Sequence, residues 1–391
     1  SMSNNELAVK MKAIGEAFLR DEAEVTNSLI NNFPLCESER TKVFEHACAI
    51  VSQSRYLRDQ QRTLDVFLAE FGLSNQEGVA LMCLAEALLR IPDTDTQDKL
   101  IAEKIKSGDW ASHKGRSESA FVNASTWGLM LTGSIVEMDK AITRNPSKWM
   151  NSLIARSGEP VIRKAVMQAM KIMGREFVFG RNIKEGLKRQ KKQPTHQRMM
   201  SFDMLGEGAR TMADAERYFS LYSDAIHAVG SAVKSDGSDP HDRSSISIKL
   251  SALHPRYENI NAERIMAELL PKLIDLAAIA KSYDIQFTMD AEEADRLELS
   301  LNIFEALARD ARLENWQGLG LAVQAYSKRA PYVIDWLIEL AHQTKRQFAV
   351  RLVKGAYWDT EIKYAQELGL PDYLVFTRKA ATDICYLYTA K

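Results

Sequence analysis

The rhythm of apolar residues changes once along this chain, near residue 200, and that change restricts the available folds more than any single motif. From about residue 5 to 190 the apolar residues recur at helical spacing, and strand-like alternation is nearly absent. Residues 74–93 show this most clearly. Ser74 and Glu77 have the spacing of a capping box, Leu81, Leu84, Ala85 and Leu88 then share one face, and Pro92 cannot continue the helix. A second segment, 158–177, has Pro160 near its start and Ile162, Val166, Ala169, Met170 and Met173 along one side. This half is expected to be all helix, with its methionines filling a core.

Beyond residue 200 short runs rich in apolar and β-branched residues alternate with long helical patterns. The runs are 201–205, 245–250, 285–290, 319–324 and 348–353, and their starts lie about 30 to 45 residues apart, the length a parallel crossover needs. Helical patterns fill the intervals, for instance 261–284 and 329–346, the latter with Pro331 at its opening. Such units build either a doubly wound sheet or part of an eightfold barrel. Nearly every run has a charged or amide residue at or near its end: Asp203, Lys249, Asp290, Gln324 and Arg351. In a barrel these converge at one mouth, whereas in an open sheet they spread along a crevice. A dinucleotide-binding turn is missing as well, since Gly318 and Gly320 have no third glycine at the required spacing. The expected architecture is therefore α/β: an all-helical N-terminal domain over residues 1–195, then a (β/α)8 TIM-type barrel of which residues 196–391 hold about five units.

Charge and cysteine usage narrow the function classes. A formal net charge of -1 supplies no general field for nucleic acid. The basic cluster at 181–198 (Lys184, Lys188, Arg189, Lys191, Lys192 and Arg198 against Glu185) lacks interleaved aromatics and reads as a solvated linker, so no nucleic-acid partner is expected. The four cysteines have no CxxC spacing, no apolar run approaches the roughly 20 residues of a membrane span, and the start has no leader pattern, which together suggest a cytoplasmic protein. No metal is expected, because the seven histidines never fall at i, i+4 on a common helix.

The segments FDMLGEGART (202–211), SIKLSALHPRYE (247–258), FTMDAEEADRLELS (287–300), LAVQAYSKRAP (321–331) and RLVKGAYWDTEIK (351–363) resemble the first five strand ends of the proline dehydrogenase domain in the proline utilization A family. Residues 77–90 and 121–129 also resemble that family's N-terminal region. The resemblance implies oxidation of L-proline to pyrroline-5-carboxylate, by hydride transfer from proline C5 to N5 of FAD, with electrons passed on to a membrane quinone. It further implies a homo-oligomer, a peripheral place at the inner membrane face, and a helical half that serves as dimerisation arm and linker.

Each candidate residue fits that chemistry in a particular way. Arg351 has a permanent positive charge that can steady negative charge building on the flavin. Asp290 is implied to order the site at the flavin, with a helix N-cap as the alternative. Lys249 suits a substrate carboxylate, with a barrel-core ion pair as the alternative. Tyr357 suits a pocket wall, and Gln324 the flavin edge or ribityl chain. In the turn from Lys354 to Trp358, Gly355 and Ala356 allow the backbone close to a cofactor. Ala291, Val353, Lys354 and Trp358 complete the implied flavin contacts, and Thr377 and Lys379 in VFTRKAATD those to its nucleotide part. Asp203 and Glu207 are expected to brace the mouth. The other carboxylates of 290–295 are expected to charge the next helix N-terminus.

Eight units occupy about 250 residues, and fewer than about 200 follow the helical half. Three units and the family's substrate-binding arginine pair are unaccounted for, so either the sequence is part of a longer polypeptide or the chain as it stands is inactive. By itself the arc would expose a strand edge and an apolar interior and would bind FAD poorly. Two rival readings are a Schiff-base aldolase using Lys249 or Lys354 and a non-catalytic scaffold built on the helical half.

Overall fold

A computed structural model describes residues 2–59, 63–89, 138–177, 179–180, 182–194, 199–204, 208–233 and 240–391. The chain divides into two compact units, one of residues 37–181 and one combining residues 1–36 with 182–391. The expected division had a single break at residue 195. Instead, the first 36 residues bury Leu7, Ile14, Ala17, Val25 and Leu29 within the strand-bearing unit.

In the helical unit the described helices are Glu37–Asp59, Thr63–Glu70, Asn75–Leu89, Lys140–Arg144, Pro146–Ser157 and Glu159–Phe177. The capping box forms as expected: Ser74 N donates to Glu77 Oε1 at 3.1 Å and Glu77 N to Ser74 Oγ at 3.2 Å. On helix Asn75–Leu89 Leu81, Leu84 and Ala85 of the expected face are buried, but so are Val79, Ala80, Met82 and Cys83 between them. A helix apolar all round belongs at the centre of its unit. It packs on Glu159–Phe177, whose Ile162, Val166, Ala169 and Met173 are buried in the same core. Burial pushes the Cys83 thiol up to about 12, which makes it an inert core group. Pro92 and residues 121–129 lie outside the described residues.

The strand-bearing unit holds β1 (Ser201–Asp203), β2 (Ser245–Ile248), β3 (Gln286–Met289), β4 (Leu319–Gln324) and β5 (Ala349–Val353), all parallel and in sequence order across the sheet. A doubly wound sheet reverses direction at a switch point; this one does not, as in a barrel. Alternation sorts the side chains. Phe202, Ile246, Ile248, Phe287 and Leu319 are buried toward the helix layer. Ser201, Ser247 and Arg351 lie on the opposite face, where Ser201 Oγ and Ser247 Oγ are 3.2 Å apart.

The same face shows how far the sheet curls. Arg351 Nη1 on β5 donates to Ser247 Oγ on β2 at 3.0 Å, although the two strands are three places apart. On a flat sheet they would be separated by about 14 Å. The strands thus form a curled half-barrel with helices outside, and its interior corrects one expectation. Buried Ser245, Ser247 and Thr288 make it polar rather than apolar. The basic cluster differs too. Residues Ile183–Gln190 form a helix capped by Asn182, and Gln190 Nε2 donates to Ser244 Oγ at 2.6 Å.

Candidate functional site

Parallel pairing places the C-terminal ends of all five strands on one rim, and period-2 alternation turns every second side chain inward there. Asp290 directly follows β3, where its backbone N–H donates to Ile248 O at 2.9 Å and continues the ladder. Its carboxylate takes two cations. Lys249 Nζ donates to Oδ2 at 2.9 Å, and Arg351 Nη2 donates to Oδ1. Lys249 Nζ also donates to Asp203 Oδ1 at 2.8 Å. The rim therefore carries an alternating chain, Asp203, Lys249, Asp290, Arg351, drawn from β1, β2, β3 and β5. No helix starts at Asp290 and both its oxygens face cations, so the N-cap alternative fails; the next turn begins at Ala294.

Exposure differs along this chain of charges. The Asp290 and Lys249 side chains are 11% and 16% exposed, whereas Arg351 is 39% exposed. Burial works against the Lys249 ammonium, but the charge of Asp290 and hydrogen bonds to Asp203 and Asp290 outweigh it and hold the pKa above the usual lysine range. Contacts among the described residues use two of the three Lys249 donors and two of the five on Arg351.

A second network links the loops. Glu292 Oε2 accepts from Ser251 N at 3.1 Å, and Glu292 O accepts from Gln324 Nε2 at 2.9 Å. Gln324 Oε1 accepts from Ala356 N at 2.9 Å. Ser251 in turn accepts Ala209 N on its carbonyl at 2.8 Å and Gly208 N on its hydroxyl at 3.2 Å. The loops after all five strands are thus joined edge to edge. Glu292 departs from the expectation that it charges the following helix, because its carboxylate turns inward and is almost fully buried. Burial raises its pKa to about 7, against the opposing pull of its hydrogen bonds to Ser251. In the run of acids from 290 to 295, spacing alone could not show which would turn in.

The remaining candidates lie along β5 and after it. Val353 closes β5, with its carbonyl accepting Ala325 N at 2.8 Å, and Ala291 is half-buried just after Asp290. Gly355 has φ +149°, and a Cβ there would stand 2.3 Å from the Tyr326 ring. Its backbone freedom therefore serves packing on Tyr326, a reason the sequence did not disclose. Tyr357 is half-buried and precedes helix Trp358–Glu367. Trp358 is 42% exposed while its Nε1 donates to Phe376 O at 2.9 Å. Lys354 is exposed and paired with Asp383, Thr377 is exposed and bonded to Glu22, and Lys379 opens helix Lys379–Ala390. Trp358, Lys354 and Thr377 make these contacts away from the charged chain at the rim. Glu207 lies outside the described residues.

The donor set suits a flavin. A half-exposed guanidinium ends the charged chain, bare backbone at Gly355 and Ala356 follows it, and an exposed indole face and the exposed Lys379 lie further along. A pocket opens on the helix side of the sheet, lined by Tyr257, Met289, Leu301, Leu321 and Val333, and Asp290, Glu292 and Gln324 line it as well.

Comparison with known proteins gives two family matches. Residues 186–391 match the model described as proline dehydrogenase, and residues 63–177 match that described as the DNA-binding domain of proline dehydrogenase. The chain is 47% identical over 387 residues to the bifunctional protein PutA of Escherichia coli (strain K12), which is 98% of this chain and 29% of that protein. To the bifunctional protein PutA of Rhizobium meliloti it is 48% identical, over 96% of this chain and 30% of that one. A crystal structure of Bradyrhizobium japonicum proline utilization A superposes with a TM-score of 0.66 at 45% identity, over 94% of this chain and 36% of that chain. The chain spans less than a third of the length of the bifunctional relatives it matches.

Proposed function

This chain belongs to the proline dehydrogenase family, and from that membership we propose that the charged rim of its half-barrel is where L-proline is oxidised to pyrroline-5-carboxylate, with FAD as hydride acceptor and a quinone as the final electron acceptor. The observation that carries the proposal is the seating of Asp290 between Lys249 and Arg351, which gathers side chains from three strands at one place.

A bound flavin supplies the two-electron acceptor. Proline contributes a hydride from C5 and the proton on its ring nitrogen, leaving a C=N double bond. The protein's part is binding and electrostatics. Arg351, held by Asp290 and Ser247, presents a fixed positive charge where negative charge develops during transfer. Lys249, pinned by two carboxylates, has one N–H left for the carboxylate of proline. Gln324 and the turn from Lys354 to Trp358 would hold the ring, while Thr377 and Lys379 would serve the nucleotide end.

The Schiff-base rival requires a neutral amine. Lys249 stays protonated between Asp203 and Asp290, so it has no lone pair to attack a carbonyl. Residues 63–177, which match the description naming DNA binding, have fourteen acidic and fourteen basic residues and no net charge to meet a phosphate backbone. No helix among the described residues is long and apolar enough to cross a membrane.

Anaerobic addition of L-proline to the intact, flavin-bound polypeptide tests the reading. The expected result is bleaching of the flavin absorbance band, and a flavin that stays oxidised in excess proline contradicts it.

A further inference from the structure

We infer that Glu22, the first residue of the second helix, is a positioning residue for the cofactor's nucleotide end. The inference rests on the proposed flavin chemistry. Helices Met2–Glu16 and Glu22–Asn31 pack on Ala330–Thr344 and Lys379–Ala390 respectively. Between them, residues 18–22 direct three side chains to the N-terminal ends of those two helices. The Phe18 ring lies 5.1 Å from the Arg329 guanidinium, Arg20 donates to the Tyr332 hydroxyl, and Glu22 reaches Thr377 and Arg378.

Glu22 takes three donors from one short segment. Its Oε1 accepts Thr377 N at 2.9 Å and Arg378 N at 3.0 Å, and its Oε2 accepts the Thr377 hydroxyl at 2.6 Å. Helix Lys379–Ala390 has no side-chain cap of its own at Arg378; the amides of Arg378 and of Thr377 just before it are held instead by a carboxylate from more than 350 residues away in sequence. The consequence concerns Thr377, one of the two residues proposed for the nucleotide end. With its hydroxyl proton committed to Glu22, Thr377 can offer a ligand only the lone pairs of its oxygen. Glu22 also places negative charge beside it. That corner therefore accepts a hydroxyl donor, such as one on a ribose, and repels a phosphate. The exposed Lys379 ammonium, on the next turn, is the group suited to a phosphate.

The test is FAD titration of the cofactor-free intact polypeptide, together with amide hydrogen exchange at residues 377–379. In Glu22→Ala the FAD dissociation constant rises roughly five- to tenfold, the size a lost helix cap carries, and exchange at Thr377 and Arg378 accelerates. Glu22→Gln recovers most of the affinity. Its Oε1 still accepts the two amides, and the Thr377 hydroxyl can turn to accept from Nε2. At saturating FAD, the KM for proline stays at the wild-type value in both variants. An unchanged or lower dissociation constant in Glu22→Ala overturns the inference, as does a KM for proline that rises in step with it. Should Glu22→Ala not fold, Thr377→Val in place of it must weaken FAD binding in the same way. Because the titration contains no proline, a wild-type protein that binds FAD but is not bleached by proline sinks the functional reading and leaves this one standing.

Discussion

Lys249 Nζ lies 2.9 Å from Asp290 Oδ2, which brings the ends of β2 and β3 together through an ion pair largely withdrawn from water. Arg351 occupies the other oxygen of the same carboxylate, so Asp290 fixes both cations at once. Replacing Asp290 with alanine leaves two positive charges facing one another. The expected outcome is a fall in kcat of at least about a hundredfold with flavin still bound, read by steady-state kinetics on flavin-saturated protein. Arg351→Lys is predicted to lose as much, since an ammonium cannot hold Ser247 and Asp290 in the geometry of the guanidinium fork.

Lys249 carries a pH prediction with a definite sign. Its pKa is raised on folding, so its contribution to stability is fully present below the unfolded value, near 10.4, and is lost only above it. Lys249→Met should therefore lower the unfolding midpoint by the same amount at every pH from about 6 to 9. Borohydride trapping over that range should yield no adduct at Lys249.

Glu292 carries the opposite practical consequence, because its raised pKa lies within the working range. The fold favours the protonated acid, so its contribution is present below about pH 4.5, declines as pH rises to about 7, and is flat beyond. Glu292→Gln keeps an acceptor for Ser251 and removes the charge. Denaturant unfolding should show this variant more stable than wild type at pH 8, by at most about 3 kcal/mol, with the gap closing toward pH 4.5. A gap that stays constant across that window would place the effect elsewhere.

Gly355→Ala should destabilise the turn after β5 by roughly 1–3 kcal/mol, since its new methyl meets the face of Tyr326 and φ +149° disfavours any Cβ. Thermal unfolding measures the loss. The accompanying shift of Ala356 away from Gln324 predicts weaker flavin retention on gel filtration.

Much of this was legible in the sequence because period and polarity agreed. The change of rhythm at residue 200 announced the parallel half, and a polar residue at each strand end argued for a barrel over a doubly wound sheet. Chain order across the sheet and the contact of Ser247 with Arg351 bear that out. Two kinds of information stayed hidden. Contacts between distant segments leave no periodic trace, so neither Glu22 on Thr377 nor the grouping of residues 1–36 with the strands could be read. Choices within a run of like residues depend on loop geometry, which is why Glu292 was not distinguished from its acidic neighbours. The polar interior was half legible: the alternation that gave Ser245 and Ser247 was visible, but its meaning depended on knowing which face turned inward.

The most direct test of the central claim is a crystal structure of the intact polypeptide with FAD and a proline analogue that cannot be oxidised. The account predicts the flavin ring within hydrogen-bond reach of Arg351 and the analogue's carboxylate on Lys249, inside the curl of the strands. A flavin seated instead in the pocket on the helix side, against Met289 and Leu321, would contradict it.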